Sequence, residues 1–201
     1  PLCVIIDPSF LETLDDSQLL NGFAEILKHG LIADRKLWDE LEINSVEELK
    51  DAQLIERAAS IKLSIVEQDP NEKNIRKLLN FGHTLGHAIE GYAIEKEEPL
   101  AHGHAVALGM IAETYLSFKK EMITQTEMNQ VITRLLSYYA VPEMNDDEIQ
   151  MLVKLCGNDK KNESNKINCT LLSEIGKGSI DHFVATSEVT EAFQFLFSLN
   201  Q

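Results

Sequence analysis

The stretch LLNFGHTLGHAIE, Leu78–Glu90, places two histidines one helical turn apart. Its apolar residues recur at helical spacing, so the stretch is predicted to be helical. On a helix, His83 and His87 share a face, which suits two ligands of one metal ion, or one ligand beside an acid–base group. Gly82 and Gly86 lie on a neighbouring stripe, where each costs about 1 kcal/mol of helix stability relative to alanine. A second element is therefore expected to approach this helix closely.

Other interpretations of the two histidines stay open at this point. The HExxH pattern of zinc peptidases is absent, because Thr84 stands where its glutamate would be. Alternatively, both histidines are buried and hydrogen-bonded, and the glycines only allow helix–helix contact. Two residues are candidates for a third metal ligand: Glu25, on an apolar helical stretch where a free carboxylate is expensive to bury, and His102, at a helix start. His104, two residues further along, is expected to point away from the metal and ranks below His102 as a ligand.

Most of the remaining chain also has helical periodicity. Helices are predicted at residues 15–32, 45–67, 75–94 and 104–120, with three further helices after Thr124, Asn145 and Ser187. Capping boxes are predicted for Ser45 with Glu48, Thr124 with Glu127, and Asn145 with Glu148. Strand signals occur at Leu2–Ile6 and in a hairpin of Ile167–Glu174 and Ile180–Ala185. The sequence therefore predicts a mainly α-helical domain with a short N-terminal strand and a small β-hairpin.

Composition excludes several classes of function. With 201 residues, 44% hydrophobic and 25% charged, the chain is typical of a globular protein. A net charge of −15 argues against a nucleic-acid partner. No apolar run approaches the roughly 18 residues of a membrane span, and no signal peptide is evident, so we expect no membrane partner and a cytoplasmic location. Three cysteines without CxxC spacing indicate a reduced compartment, and Pro1 in place of Met indicates a piece of a longer protein.

Several cationic and amide side chains stand out against this acidic background. Taken singly, each fits a solvated surface position, but together they could surround an anion beside a metal ion. They are Lys28, Lys62, Arg76, Asn80, Lys160 and Lys161. His29 and His182 have no motif around them and are expected to be surface or structural residues.

Ordered motifs along most of the chain resemble the 3-dehydroquinate synthase family. They are VIIDPSFLETL, GFAEILKHGLIAD, IKLSIVEQDPNE, IRKLLNFGHTLGHAIE, AHGHAVALGM, and DKKN before INCTLLSEIG. The resemblance implies that residues 1–201 are the C-terminal helical metal- and substrate-binding domain, normally paired with an N-terminal α/β dinucleotide-binding domain. The chain has no GxGxxG fingerprint, which agrees with an absent NAD-binding domain. The family resemblance also implies a homodimer.

The resemblance also implies roles for individual residues. Glu25, His83 and His102 match the metal ligands, while His87 and Glu72 match residues with acid–base roles. The set that holds the substrate's phosphate, carboxylate and hydroxyls matches Lys28, Lys62, Arg76, Asn80 and one of Lys160 and Lys161. The part that touches NAD matches Phe10, Leu11, Glu12 and Thr13, with Asn21. His104 departs from the family, which commonly has a glutamate there that would orient a metal-bound imidazole.

The activity implied by the resemblance is a lyase step of the shikimate pathway, which leads to chorismate and the aromatic amino acids. It converts 3-deoxy-D-arabino-heptulosonate 7-phosphate to 3-dehydroquinate and phosphate, with NAD and a divalent metal, zinc or cobalt. The unusual His104 leaves another NAD- and metal-dependent sugar-phosphate cyclase as an alternative. A more distant candidate is a metal-dependent polyol dehydrogenase. It would not need the anion-binding residues Lys62, Arg76 and Asn80, so their presence counts against it. A non-catalytic helical interaction domain remains a further alternative, and the isolated chain is expected to be inactive.

Overall fold

The computed structural model describes residues 4–43, 45–157 and 166–200. The helices are α1 Asp16–Ala33, α2 Arg35–Glu40, α3 Ala52–Gln68, α4 His83–Glu95, α5 His102–Lys119, α6 Gln125–Leu136, α7 Asp146–Gly157 and α8 Thr186–Ser198. Short 3₁₀ helices occupy Pro8–Thr13, Val46–Lys50 and Ile75–Asn80, and the strands are β1 Lys166–Glu174 and β2 Lys177–Ala185. The mainly helical class and the β-hairpin are confirmed. In the described ranges, none of the helices is both long and apolar enough to cross a membrane.

Helix α5 lies at the centre of the domain. It packs against α1, α4, α6, α8 and β1, and nearly all of its residues between Gly103 and Ser117 are buried. A helix that is apolar on all sides must be covered on all sides, which explains this central position. Helix α5 begins at His102, so the first residue of this central helix is one of the candidate metal ligands.

Helices α4 and α5 approach so closely that their backbones touch. A Cβ atom added at Gly109 of α5 would overlap the carbonyl oxygen of Gly82 and lie 2.6 Å from the amide nitrogen of Gly86. A Cβ added at Gly86 would lie 2.8 Å from the carbonyl oxygen of Ala105. The expected close approach to the histidine helix is therefore confirmed, and α5 is the approaching element.

The helix predicted to open at Ser45 begins later. Ser45 makes no side-chain cap, and Val46–Lys50 forms a 3₁₀ helix. Asp51 caps α3 instead, because its carboxylate accepts hydrogen bonds from the backbone amides of Gln53 at 2.6 Å and Leu54 at 3.1 Å. The predicted capping box was therefore wrong. The other two capping boxes, in front of α6 and α7, are confirmed.

The single helix predicted over residues 75–94 is two elements. The first is the 3₁₀ helix Ile75–Asn80, and α4 starts only at His83. Between them Gly82 adopts a left-handed conformation with φ +79°, which glycine accepts at little cost and which ends the first element. Arg76 and Asn80 are therefore not on the same helix as the histidines, as the sequence pattern had suggested.

The prediction of an N-terminal strand at Leu2–Ile6 was wrong for residues 4–6, the part that the structure describes. Residues 4–6 belong to no strand, and the sheet within the described ranges consists of antiparallel β1 and β2 alone. Val4 and Ile5 are 75% and 87% exposed, which shows that no described strand covers them. A strand needs a neighbouring strand edge for its backbone hydrogen bonds, and residues 4–6 lack one within the described ranges.

His29 is buried inside this fold. It is 4% exposed, and neither ring nitrogen has a hydrogen-bond partner among the described residues. Burial, reinforced by the positive charge of Lys28, lowers the pKa of His29 from 6.5 to about 4. The imidazole is therefore neutral at neutral pH, and the surface position considered for it from the sequence was wrong.

Replacing Gly109 by alanine tests the backbone contact between α4 and α5. Because the new methyl group would overlap Gly82, we expect a loss of about 1–3 kcal/mol in the free energy of unfolding, measured by urea denaturation. Gly91→Ala on α4 is the matched control, since no atom lies within 4 Å of the added Cβ. That variant should be more stable, by up to about 1 kcal/mol. Equal effects of the two substitutions would contradict the proposed contact.

His29→Phe tests the burial of a neutral imidazole. Unfolded His29 takes up a proton below its ordinary pKa of 6.5, whereas folded His29 does so only near pH 4. Wild-type stability should therefore fall between pH 6.5 and pH 4 by an amount on the order of 3 kcal/mol that the variant does not lose. The measurement is urea denaturation with a metal chelator present. His182→Phe, at a partly exposed histidine, should retain most of the slope, and an unchanged slope in His29→Phe would contradict the assignment.

Candidate metal and active site

Three histidines converge where α4 meets the start of α5. The ring centroids of His83 and His87 are 5.1 Å apart, those of His83 and His102 are 5.3 Å apart, and those of His87 and His102 are 5.8 Å apart. One ligand atom of each ring lies within 4.8 Å of the other two. Tetrahedral zinc holds its nitrogen ligands about 3.4 Å apart, given Zn–N bonds of about 2.1 Å. Small side-chain movements would therefore suffice to share an ion.

Two of these imidazoles are oriented through their Nδ1 atoms. Nδ1 of His83 lies 3.3 Å from the carbonyl oxygen of Phe81, and Nδ1 of His102 lies 3.1 Å from a carboxylate oxygen of Glu90. An acceptor at Nδ1 fixes the proton there and leaves Nε2 as the metal-binding atom. The sequence analysis missed Glu90, although its position three residues after His87 placed it near the histidine face.

His104 points away from the three histidines. Its Nε2 lies 2.6 Å from the carbonyl oxygen of Ala140, and its ring centroid is 5.6 Å from that of Tyr139. The position where the family commonly has a glutamate therefore contacts the segment after α6. Here Glu90, from α4, is the carboxylate that contacts His102.

Glu25 reaches the site from α1. One of its carboxylate oxygens is 3.6 Å from Nε2 of His83, the nitrogen that is left for a metal, and the other is 2.6 Å from Nζ of Lys28. Burial acts to raise the pKa of Glu25, but the neighbouring Lys28 ammonium outweighs it and holds the pKa below its ordinary value. Glu25 is therefore ionised and available to a cation.

Lys28 is an almost fully buried cation beside this carboxylate. It is 2% exposed and donates a hydrogen bond of 2.9 Å to the carbonyl oxygen of Leu79. Burial lowers the pKa of Lys28, Glu25 acts against that, and the nearby charge of Lys62 lowers it further. Burial, together with Lys28, also lowers the pKa of His83 to about 4. His83 is therefore neutral near pH 7, as a metal ligand must be.

Asp69 organises the loop that follows α3. Its carboxylate, 7% exposed, accepts hydrogen bonds from the backbone amides of Lys73 at 3.0 Å, Asn74 at 2.7 Å and Arg76 at 3.2 Å. Burial acts to raise the pKa of Asp69, but these hydrogen bonds outweigh it and lower the pKa. Within this loop Glu72 adopts φ +54°, which is uncommon for a residue other than glycine. The sequence analysis missed Asp69, because its role depends on backbone amides rather than on a side-chain pattern.

The structure brings two further predicted site residues together. The amide nitrogen of Asn80 donates a hydrogen bond of 2.9 Å to the carboxylate of Glu72. Arg76 donates one of 2.9 Å to the carbonyl oxygen of Pro70, which leaves part of its guanidinium for other partners. Lys62 is exposed on α3. Lys160 and Lys161 lie outside the described residues.

The residues predicted to touch NAD form a separate feature. Phe10, Leu11, Glu12 and Thr13 belong to the first 3₁₀ helix, where Phe10 is 78% exposed and Leu11 packs against the core. An apolar cleft of about 240 Å³ lies beside this turn and is lined in part by Leu11 and Phe23. The side-chain oxygen of Asn21 accepts a hydrogen bond from the backbone amide of Gly103, at the start of α5.

Curated relatives are named 3-dehydroquinate synthase. The chain is 38% identical over 198 residues to the protein from Parabacteroides distasonis, covering 97% of this chain and 56% of the relative. It is 36% identical over 210 residues to the protein from Bacillus cereus, covering 96% of this chain and 55% of the relative. The chain thus spans about half the length of the curated relatives it matches.

Two solved structures show the same fold as this chain. The 2-epi-5-epi-valiolone synthase from Streptomyces hygroscopicus, solved with NAD⁺ and Zn²⁺, aligns with a TM-score of 0.78 and 28% identity over 96% of this chain and 55% of its own. A 2-deoxy-scyllo-inosose synthase, solved with carbaglucose-6-phosphate, NAD⁺ and Co²⁺, aligns with a TM-score of 0.75 over 94% of this chain and 55% of its own. At 22% identity, the second shows a shared fold only.

A family profile gives the most direct assignment. Residues 22–162 match the family described as 3-dehydroquinate synthase C-terminal. This range includes the three converging histidines, Glu25 and the Asp69 loop. The chain belongs to the 3-dehydroquinate synthase C-terminal family.

Proposed function

We propose that this chain is the metal- and substrate-binding part of a 3-dehydroquinate synthase. The reaction converts 3-deoxy-D-arabino-heptulosonate 7-phosphate to 3-dehydroquinate and phosphate. The observation that carries the proposal is the convergence of His83, His87 and His102, with Glu25 beside His83 and paired with the buried Lys28. Under this proposal residues 1–201 form the C-terminal domain, and a separate N-terminal domain binds most of the NAD. The length of the curated relatives, about twice the matched part, supports this division.

We assign Glu25, His83 and His102 as the ligands of one divalent ion, zinc or cobalt. The donor set fits such an ion, because it combines an ionised carboxylate with two imidazoles whose Nε2 atoms are left for coordination. When bound, the ion supplies Lewis-acid polarisation of a substrate oxygen. His87 then remains as the proton carrier. It is exposed one turn along α4 from His83, where a substrate hydroxyl can reach it.

The cationic side chains hold the anionic ends of the substrate. Lys28 and Lys62 lie close enough for the charge of Lys62 to lower the pKa of Lys28, and an anion between them would relieve that repulsion. Arg76 has donors left for a carboxylate or phosphate. Asn80 holds Glu72, which we assign to proton transfer. Lys160 and Lys161 stay predictions for phosphate binding.

The NAD contacts within this chain are assigned to Phe10–Thr13. Their 3₁₀ helix exposes Phe10, an aromatic side chain able to pack against a flat cofactor. Asn21 stays a prediction for NAD contact, and its side-chain oxygen also accepts a hydrogen bond from Gly103 in the first turn of α5, next to His102. The homodimer and the cytoplasmic location stay predictions.

A second candidate function is another sugar-phosphate cyclase. The match to a valiolone synthase at 28% identity favours this alternative, as does His104 in place of the usual glutamate. A phosphorylated sugar, NAD and a divalent metal would still be required. The two functions differ in the substrate, so a comparison of substrates distinguishes them.

Zinc titration by calorimetry tests the ligand set. We expect one zinc site per chain. His83→Ala and Glu25→Gln should lower the zinc affinity by more than roughly 10- to 100-fold, which is the loss typical of removing a residue that only orients a ligand. His87→Asn should bind zinc nearly as tightly as the wild type, because His87 is assigned to proton transfer. His182→Ala is the control, since that ring contacts Ser179 on β2. Equal affinity in all four variants would refute the proposed ligands.

Phosphate release in the presence of NAD and a divalent metal tests the activity. The chain alone should show no turnover with 3-deoxy-D-arabino-heptulosonate 7-phosphate, because it lacks most of the NAD site. Fusion to the N-terminal half of the Parabacteroides distasonis relative should restore turnover, and His87→Ala in that fusion should lower kcat by about 10²- to 10⁴-fold. Turnover with glucose 6-phosphate, but not with the heptulosonate phosphate, would favour a different cyclase.

A further inference from the structure

Glu113 is a buried carboxylate on α5 that the proposed mechanism does not use. Its side chain is 0% exposed, and its two oxygens accept hydrogen bonds from the backbone amides of Gly82 at 2.6 Å and Leu85 at 3.3 Å. Burial raises the pKa of Glu113 to about 8, although hydrogen bonds from the amides of Gly82, Leu85 and Thr84 act to lower it. A buried carboxylate is costly, so these contacts must offset its loss of hydration.

The first turn of α4 depends on this carboxylate. The residue before α4 is Gly82, which has no side chain, and the helix has no side-chain cap at its own N-cap position. The first amides of a helix have no acceptor within the helix and need one from elsewhere. Glu113 supplies this acceptor, although it lies 31 residues after Gly82 in the sequence. The positive end of the α4 dipole also favours the partial negative charge of the carboxyl oxygens at that place.

The same helix that carries the cap also carries a candidate ligand. His102 is the first residue of α5, and Glu113 follows about three helical turns later. His83, the first residue of α4, lies between the capped amides of Gly82 and Leu85. The distance between the two imidazoles is therefore set by one rigid helix, together with the backbone contact at Gly109.

We propose that Glu113 is a positioning residue for the metal site: it caps α4 from α5 and so fixes His83 relative to His102. This inference rests on the metal site proposed above. Glu113 does not touch the ion or the substrate, and it acts through the backbone of α4. A cap with a purely structural role would stabilise the domain but would leave the affinity for metal unchanged.

Glu113→Gln separates these two roles. Glutamine has nearly the same shape, but its amide nitrogen cannot accept a hydrogen bond, so one of the α4 amides loses its acceptor. The matched control is Glu127→Gln, because Glu127 caps α6 through the amide of Thr124 at 2.9 Å, and α6 carries none of the proposed ligands. For each variant we would measure zinc affinity by calorimetry, the visible absorption of bound Co²⁺, and stability in urea.

We expect Glu113→Gln to weaken zinc binding by about 10- to 100-fold and to change the Co²⁺ spectrum. Glu127→Gln should change neither, whatever its effect on stability. If Glu113→Gln fails to fold, Glu113→Asp provides the same readouts with a shorter carboxylate. Wild-type zinc affinity and an unchanged Co²⁺ spectrum in the Glu113 variant would overturn the positioning role while the metal site stands. A wild-type chain that binds no zinc would overturn the metal site and this inference with it.

Discussion

The backbone contact between α4 and α5 is the constraint on which the rest of the structure depends. Gly82 and Gly86 on one side and Gly109 on the other leave no room for a Cβ atom between the helices. Packing at this distance brings the first residue of α5 beside the first residue of α4, and both are histidines. The glycines cost helix stability, but that cost is offset by the packing of two largely buried helices. Larger residues would separate the helices and, with them, the imidazoles.

Buried charge gives the site its chemical character. Lys28 on α1 is the buried cation of the site, and it is compensated by the carboxylate of Glu25 on the same helix and by the carbonyl oxygen of Leu79. Neutral His83 beside ionised Glu25 is attractive to a divalent cation, whereas the lysines favour an anion a short distance away. The chain as a whole carries a charge of −15, so this local pairing is a property of the site and not of the average composition. Such a distribution agrees with the proposed function.

Local patterns predicted most of the elements, and they were wrong where a competing contact decided the outcome. The capping pattern at Ser45 was overridden because Asp51 offers a better acceptor to the amides of α3. The continuous periodicity through Ile75 and Ile94 concealed the left-handed turn at Gly82, since an isolated glycine is compatible with either structure. Apolar residues 4–6 met the pattern of a strand but have no partner strand in the described part of the chain.

The sequence by itself determined the helical class, the hairpin, the family and the residue types of the candidate site. Glu25, His83, His87 and His102 were all recognisable, because side-chain chemistry and helical spacing are local properties. Only the tertiary structure showed that Glu90 contacts His102, that Asp69 holds the loop of Glu72, and that Glu113 caps α4. The contacts of Glu90 and Glu113 join different helices, and that of Asp69 is made to backbone amides. Neither kind leaves a periodic pattern in the sequence, because both depend on how the helices pack and how the chain turns between them.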